Sequence, residues 1–76
     1  MITVKLYGLL RIESGIKEQR LEAATFREVL EALEKAGISK KELHSCIILV
    51  NGKSANKRSK LTDGDTVVLM SPVAGG

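Results

Sequence analysis

Cysteine, histidine, proline, tyrosine and phenylalanine each occur once in these 76 residues, and tryptophan not at all. Each scarcity removes a class of function. The lone Cys46 can build no disulfide framework. A single thiol also cannot supply the several soft ligands of a zinc site or an iron–sulfur cluster. With no secretory signal in the sequence, it points to a reducing, cytoplasmic setting. The single His44 has no carboxylate or nucleophile partner at a familiar spacing, and there is no glycine-rich phosphate loop. The side chains therefore offer little to catalysis, and a non-catalytic role is expected. Only Tyr7 and Phe26 could stack on bases, which argues against nucleic acid. Lys53, Lys57, Arg58 and Lys60 do form a basic cluster within a net charge of +3. It reads as solvated surface, or as a feature that attracts an acidic protein. No apolar run approaches the ~20 residues of a membrane span.

What is present is patterned for one small domain. Ile2, Val4 and Leu6 alternate with Thr3, Lys5 and Tyr7, the period of a half-buried strand. Gly8 ends that run, Ser14-Gly15 marks a turn, and a polar edge strand is expected over Lys17 to Leu21. Thr25 and Glu28 fit the pattern in which two side chains satisfy donors at a helix start. Phe26, Val29, Leu30 and Leu33 then recur on one face, which predicts a helix from Phe26 to Ala36 with Gly37 as its left-handed cap. Ser39 and Glu42 repeat the capping pattern ahead of a short helical turn. Cys46 to Val50 is an apolar strand ending in the hairpin signal Asn51-Gly52. A Thr62-Asp63-Gly64-Asp65 turn precedes the last strand, Thr66 to Met70, and Pro72 stops it. The order is strand, strand, helix, strand, strand. It predicts a two-layer α+β domain over residues 1–70, with four to five strands on one main helix, and a flexible tail over 71–76.

One helix covers one sheet face, yet two strands are apolar on both sides. If Ile48, Val50, Val67 and Leu69 face the helix, then Ile47, Leu49, Val68 and Met70 face away. These four are a candidate partner-binding patch, with Arg11 as a rim contact. The competing reading has a loop, Leu9 to Ser14 or Gly52 to Lys60, folded over that face.

The C-terminal part carries a resemblance. Leu61-Thr62-Asp63-Gly64-Asp65, an apolar strand and then Pro72-Val73-Ala74-Gly75-Gly76 resemble the small subunit of molybdopterin synthase, a ubiquitin-like sulfur-carrier family. Tyr7-Gly8-Leu9-Leu10-Arg11, Ala24-Thr25-Phe26 and Val50-Asn51-Gly52 agree with it, so the resemblance spans nearly the whole chain. The chain departs from that pattern at Ile12, where an acidic residue is usual, and in the basic Ser54 to Lys60 loop. The resemblance implies a β-grasp fold with a mixed sheet whose first and last strands are parallel and central. It also implies a mechanism. An E1-like adenylating enzyme spends ATP to activate the Gly76 carboxylate, and sulfur from a persulfide donor makes it a thiocarboxylate. A large catalytic subunit, in a heterotetramer, then uses that sulfur in molybdenum cofactor biosynthesis. No bound cofactor is expected beyond the thiocarboxylate itself. Glycine at 75 and 76 has no Cβ to obstruct a narrow channel. Six extended residues from Ser71 reach about 20 Å at ~3.3 Å each.

Two alternative pathways remain. A thiamine-biosynthesis sulfur carrier shares the diglycine end, as does a ubiquitin-like modifier or tRNA-thiolation carrier. Cys46 reads as strand packing rather than a persulfide relay, and His44 as surface. Asp63 and Asp65 read as turn formers.

Overall fold

A computed structural model describes residues 1–71. The elements are β1 (Ile2–Tyr7), α1 (Leu9–Ser14), β2 (Glu18–Leu21), α2 (Phe26–Lys35), α3 (Lys40–Ser45), β3 (Ile47–Val50), β4 (Lys53–Ser54) and β5 (Thr66–Met70). Five strands form one mixed sheet in the order β2-β1-β5-β3-β4. β1 and β5 pair in parallel, and all other neighbours are antiparallel. The expected mixed sheet on one main helix is present, at the upper end of the predicted strand number.

Local chemistry accounts for the main elements. The Thr25 hydroxyl accepts from the Glu28 N–H (3.3 Å), and the Glu28 carboxylate accepts from the Ala24 N–H (3.1 Å), so two donors at the start of α2 are satisfied reciprocally. At its end the Gly37 N–H donates to Glu34 and the Ile38 N–H donates to Leu33, with Gly37 at a φ of 103°. That is a Schellman motif, and Ile38 and Leu33 both lie in the core. Asn51 and Gly52 both take positive φ (52° and 82°), which joins β3 to β4 by a two-residue type I′ turn.

The periodicity of β1 and β5 becomes a boundary between two environments. Ile2, Val4, Leu6, Ile48, Val67 and Leu69 form a single buried cluster with Phe26, Val29 and Leu33 of α2, Leu10 of α1 and Leu43 of α3. All three helices thus lie against the same face. Among the described residues no helix is long and apolar enough to cross a membrane.

Two segments differ from expectation. Leu9 to Ser14 is a helix, α1, and sends Leu10 into the core. Gly52 to Lys60 extends the sheet sideways through β4 rather than covering a face. Neither buries the outer surface, because Tyr7 and Ile47 remain 41% and 47% exposed there.

Candidate docking face and the root of the tail

Pairing register places the outer-face side chains in rows. Tyr7 lies opposite Met70, and Met70 opposite Ile47. One step back along the strands, Lys5 lies opposite Val68 and Val68 opposite Leu49. The residues Ile47, Leu49, Val68 and Met70 therefore share a continuous apolar strip across β5 and β3. Ile47 is exposed, while Leu49, Val68 and Met70 are half-buried by their neighbours in the rows. Tyr7 extends the strip onto β1. Arg11 shares a shallow depression with Lys5, Tyr7, Lys17 and Glu18, beside the Tyr7 end of the strip.

Because β1 and β5 are parallel, they finish at the same end of the sheet. There Gly8 turns the chain into α1, and Ser71 follows β5. The Gly8 φ of 69° is in the left-handed region, and a Cβ at this position would stand 2.5 Å from Ser71 Oγ. The close approach has a use. α1 has no side-chain cap of its own, and Ser71 Oγ accepts from the Leu9 N–H at 2.7 Å. A residue 62 positions away thus caps this helix. α1 carries two further apolar side chains beside this end, Leu9 (48% exposed) and Ile12 (76% exposed). Sequence reasoning did not single out Tyr7, Leu9, Ile12 or Ser71 as site residues. The spacing of Leu9 and Ile12, three apart after Gly8, was the available signal for a helical face.

The expected tail residues Pro72, Val73, Ala74, Gly75 and Gly76 lie outside the described residues. Of the remaining candidates, Cys46 caps α3, donates to the Leu43 carbonyl at 3.0 Å and is half-buried against the core. Burial pushes its thiol above the ordinary value, which disfavours the reactive thiolate. His44 is exposed beside the Lys57 ammonium. Among the described residues no group of three or more His, Cys, Asp or Glu could hold a metal ion.

A mixed five-stranded sheet wrapped on one main helix, with parallel central β1 and β5, defines a ubiquitin-like β-grasp domain. The chain belongs to the ThiS family, whose model matches residues 4–76. It is a ubiquitin-like sulfur carrier of that family. Solved structures agree. SAMP1 from Haloferax volcanii is 25% identical, with a TM-score of 0.84 over 99% of this chain and 98% of that one. In the complex of subunits 1 and 2 of molybdopterin-converting factor from Helicobacter pylori, the matching chain is 26% identical. Its TM-score is 0.75 over 99% and 97% of the two chains. A chain of the Amycolatopsis orientalis BexX/CysO complex is 27% identical, with a TM-score of 0.76 over the whole of both chains. Among curated proteins none matches this chain by sequence.

Proposed function

We propose that this domain carries sulfur on the Gly76 carboxylate and delivers it to a pterin precursor in molybdopterin assembly, as the non-catalytic subunit of a sulfurtransferase. The observation that carries the reading is the position of the apolar strip. The row Tyr7, Met70 and Ile47 is centred on Met70, the residue before Ser71 and the tail. A partner seated on the strip therefore lies at the root of the segment it must receive. Two of the similar structures are complexes with another protein, which supports a protein partner. Docking and delivery then fall to separate parts of one chain.

The chemistry asks little of the side chains. A carboxylate oxygen of Gly76 attacks the α-phosphorus of ATP on an E1-like adenylating enzyme and releases pyrophosphate. The terminal sulfur of a persulfide attacks the acyl carbon, and AMP leaves. A second thiol cleaves the resulting sulfur–sulfur bond and frees the thiocarboxylate. The large catalytic subunit then receives the tail.

The test is deletion of Gly76 in an assay reconstituted with the activating enzyme, ATP and a persulfide donor. The intact chain should gain the mass of one oxygen-for-sulfur exchange, and the deleted chain should gain none while keeping its circular dichroism. Equal loading of both removes the mechanism. A second reading, attachment to other proteins, is favoured by the likeness to small archaeal modifier proteins from Haloferax volcanii and Methanosarcina acetivorans. Mass spectrometry of material from the native cell separates the two. Lysine-linked diglycine remnants support the modifier, and co-purification with a large synthase subunit supports the sulfur donor.

A further inference from the structure

The basic loop that the proposed function leaves unused borders a groove. It is lined by Cys46, Ile47 and Ile48 on one side and by Ala55, Lys57 and Arg58 on the other, with a volume of about 650 Å³. It is open rather than enclosed, a shape that suits a docked segment better than a small ligand. Its floor is aliphatic and its rim is cationic. We propose that this groove docks an acidic segment of a partner protein, with an aliphatic side chain on the floor and flanking carboxylates on Lys57 and Arg58.

Three observations carry this. The first is charge. Residues 53–60 hold Lys53, Lys57, Arg58 and Lys60 and none of the nine acidic residues of the chain. The two ion pairs among the described residues are Met1 with Asp63 and Arg27 with Glu31, so neither neutralises the loop. Cations gathered without internal counter-charge raise the local concentration of an anionic partner.

The second is shape. The loop is tied to itself: Asn56 Oδ1 accepts from the Arg58 N–H (2.8 Å), the Asn56 N–H donates to Ser59 Oγ (3.1 Å), and the Ser59 N–H donates to the Asn56 carbonyl (3.0 Å). The Ala55 N–H is bonded to the Ile48 carbonyl at 3.0 Å, which fastens the loop to β3. Lys57 and Arg58 thus stand on a closed turn, and less ordering entropy is lost on binding.

The third is continuity. Ile47 lines the groove and also ends the apolar row on the outer face. A partner on that face can run a segment around the edge of β3 without leaving apolar surface. Nucleic acid fits less well. Bases stack on rings, this floor has none, and Tyr7 lies on β1, across β5.

The experiment is an amide-shift titration of the full-length ¹⁵N-labelled chain with a short synthetic peptide of alternating glutamate and leucine, to about 1 mM, which detects binding as weak as millimolar. Parallel titrations use a glutamate–serine peptide and oligothymidylate. The expected shifts are confined to residues 46–48 and 54–58, and the glutamate–serine peptide binds at least ~5-fold more weakly. K57E/R58E should weaken binding at least ~10-fold, and the milder K57Q/R58Q should weaken it less, both with unchanged circular dichroism. Equal binding of the serine peptide, shifts elsewhere, no shifts, or tighter binding of oligothymidylate would each overturn the proposal. A chain lacking Gly75 and Gly76 should titrate identically, so failure here is distinguishable from failure of the sulfur reading.

Discussion

β1 and β5 begin together and end together, and their two ends are built in opposite ways. At the beginning, polar groups are fastened to one another. The Asp65 carboxylate accepts from the Thr62 N–H and the Asn51 amide, both at 2.9 Å, and Asn51 Oδ1 accepts from the Thr66 N–H at 2.9 Å. Asp63 lies beside the Met1 ammonium, and the Gly64 N–H reaches the Met1 carbonyl at 2.9 Å. At the finish, Tyr7, Leu9, Ile12 and Ile47 lie open to solvent, and the Ser71 hydroxyl is the side-chain tie between β5 and α1. The exposed part of an apolar side chain adds nothing to the stability of the free domain. Their concentration at the end where β5 runs into Ser71 supports the docking role proposed for that end, while the opposite end closes the sheet.

The strongest challenge to that division comes from Gly8. It belongs to the open end, yet Gly8→Ala should be the costlier of two comparable changes. It forces a non-glycine residue to positive φ and sets a Cβ 2.5 Å from Ser71 Oγ. The loss should be about 2–3 kcal/mol by urea denaturation. Adding Ser71→Ala should recover the clash but not the strain. At the fastened end, Asn51→Ala removes two side-chain hydrogen bonds and sits at a φ of 52°. A loss of about 1–2 kcal/mol is expected. If Asn51→Ala proves costlier than Gly8→Ala, the tight point of the fold lies at the polar end, and the account of Gly8 is wrong.

Met70→Asp probes the open end differently. Met70 is half-buried on the outer face, beside Tyr7 and Ile47. The change should leave the fold in place and weaken partner binding at least ~10-fold, the scale of a central interface residue. Binding measured by calorimetry against the activating enzyme checks this, with circular dichroism as the control. Loss of the folded signal would instead place Met70 in the core.

How much of this was legible in the chain depends on how far each cause reaches. α2 was readable to within a residue, because Thr25, Glu28 and Gly37 lie inside or beside the segment they control. The Asn51-Gly52 turn and the two-sided strands were readable for the same reason, whereas the rows across β5 and β3 need the pairing register of the folded sheet. α1 was not. Its first donor is satisfied by Ser71 from the far end of the chain, and a local reading of Gly8-Leu9-Leu10 sees no cap. β4, at two residues, has no period to detect. Arg11 as a rim contact rested on its charge, and only the helical geometry of α1 sets it beside Tyr7, Lys17 and Glu18. The groove beneath Lys57 and Arg58 needs β3 and the loop side by side, which spacing cannot supply.

The smallest expected effect separates the two ends by the sign of their electrostatics. Hydrogen bonds from Thr62 and Asn51 hold the Asp65 carboxyl below the ordinary aspartate value of 3.8. Its contribution is therefore fully present above that value and is lost as pH falls through the folded one. Glu42 on α3 behaves oppositely. A hydrogen bond with Glu13 of α1, then burial and the charge of Glu13, raise its carboxyl above the ordinary 4.5. Ionisation of Glu42 therefore weakens the folded state at neutral pH, and the penalty is relieved as pH falls through the raised value. Asp65→Asn should thus lower the urea midpoint at pH 7, with the deficit shrinking as pH drops below 3.8. Glu13→Gln should raise the midpoint at pH 7, and its advantage should vanish on acidification. Both groups lie partly in solvent, so added salt should shrink each difference. Two variants shifting the midpoint in the same direction at pH 7 would mean that the open end is not held against like charge, and the contrast between the ends would then rest on packing alone.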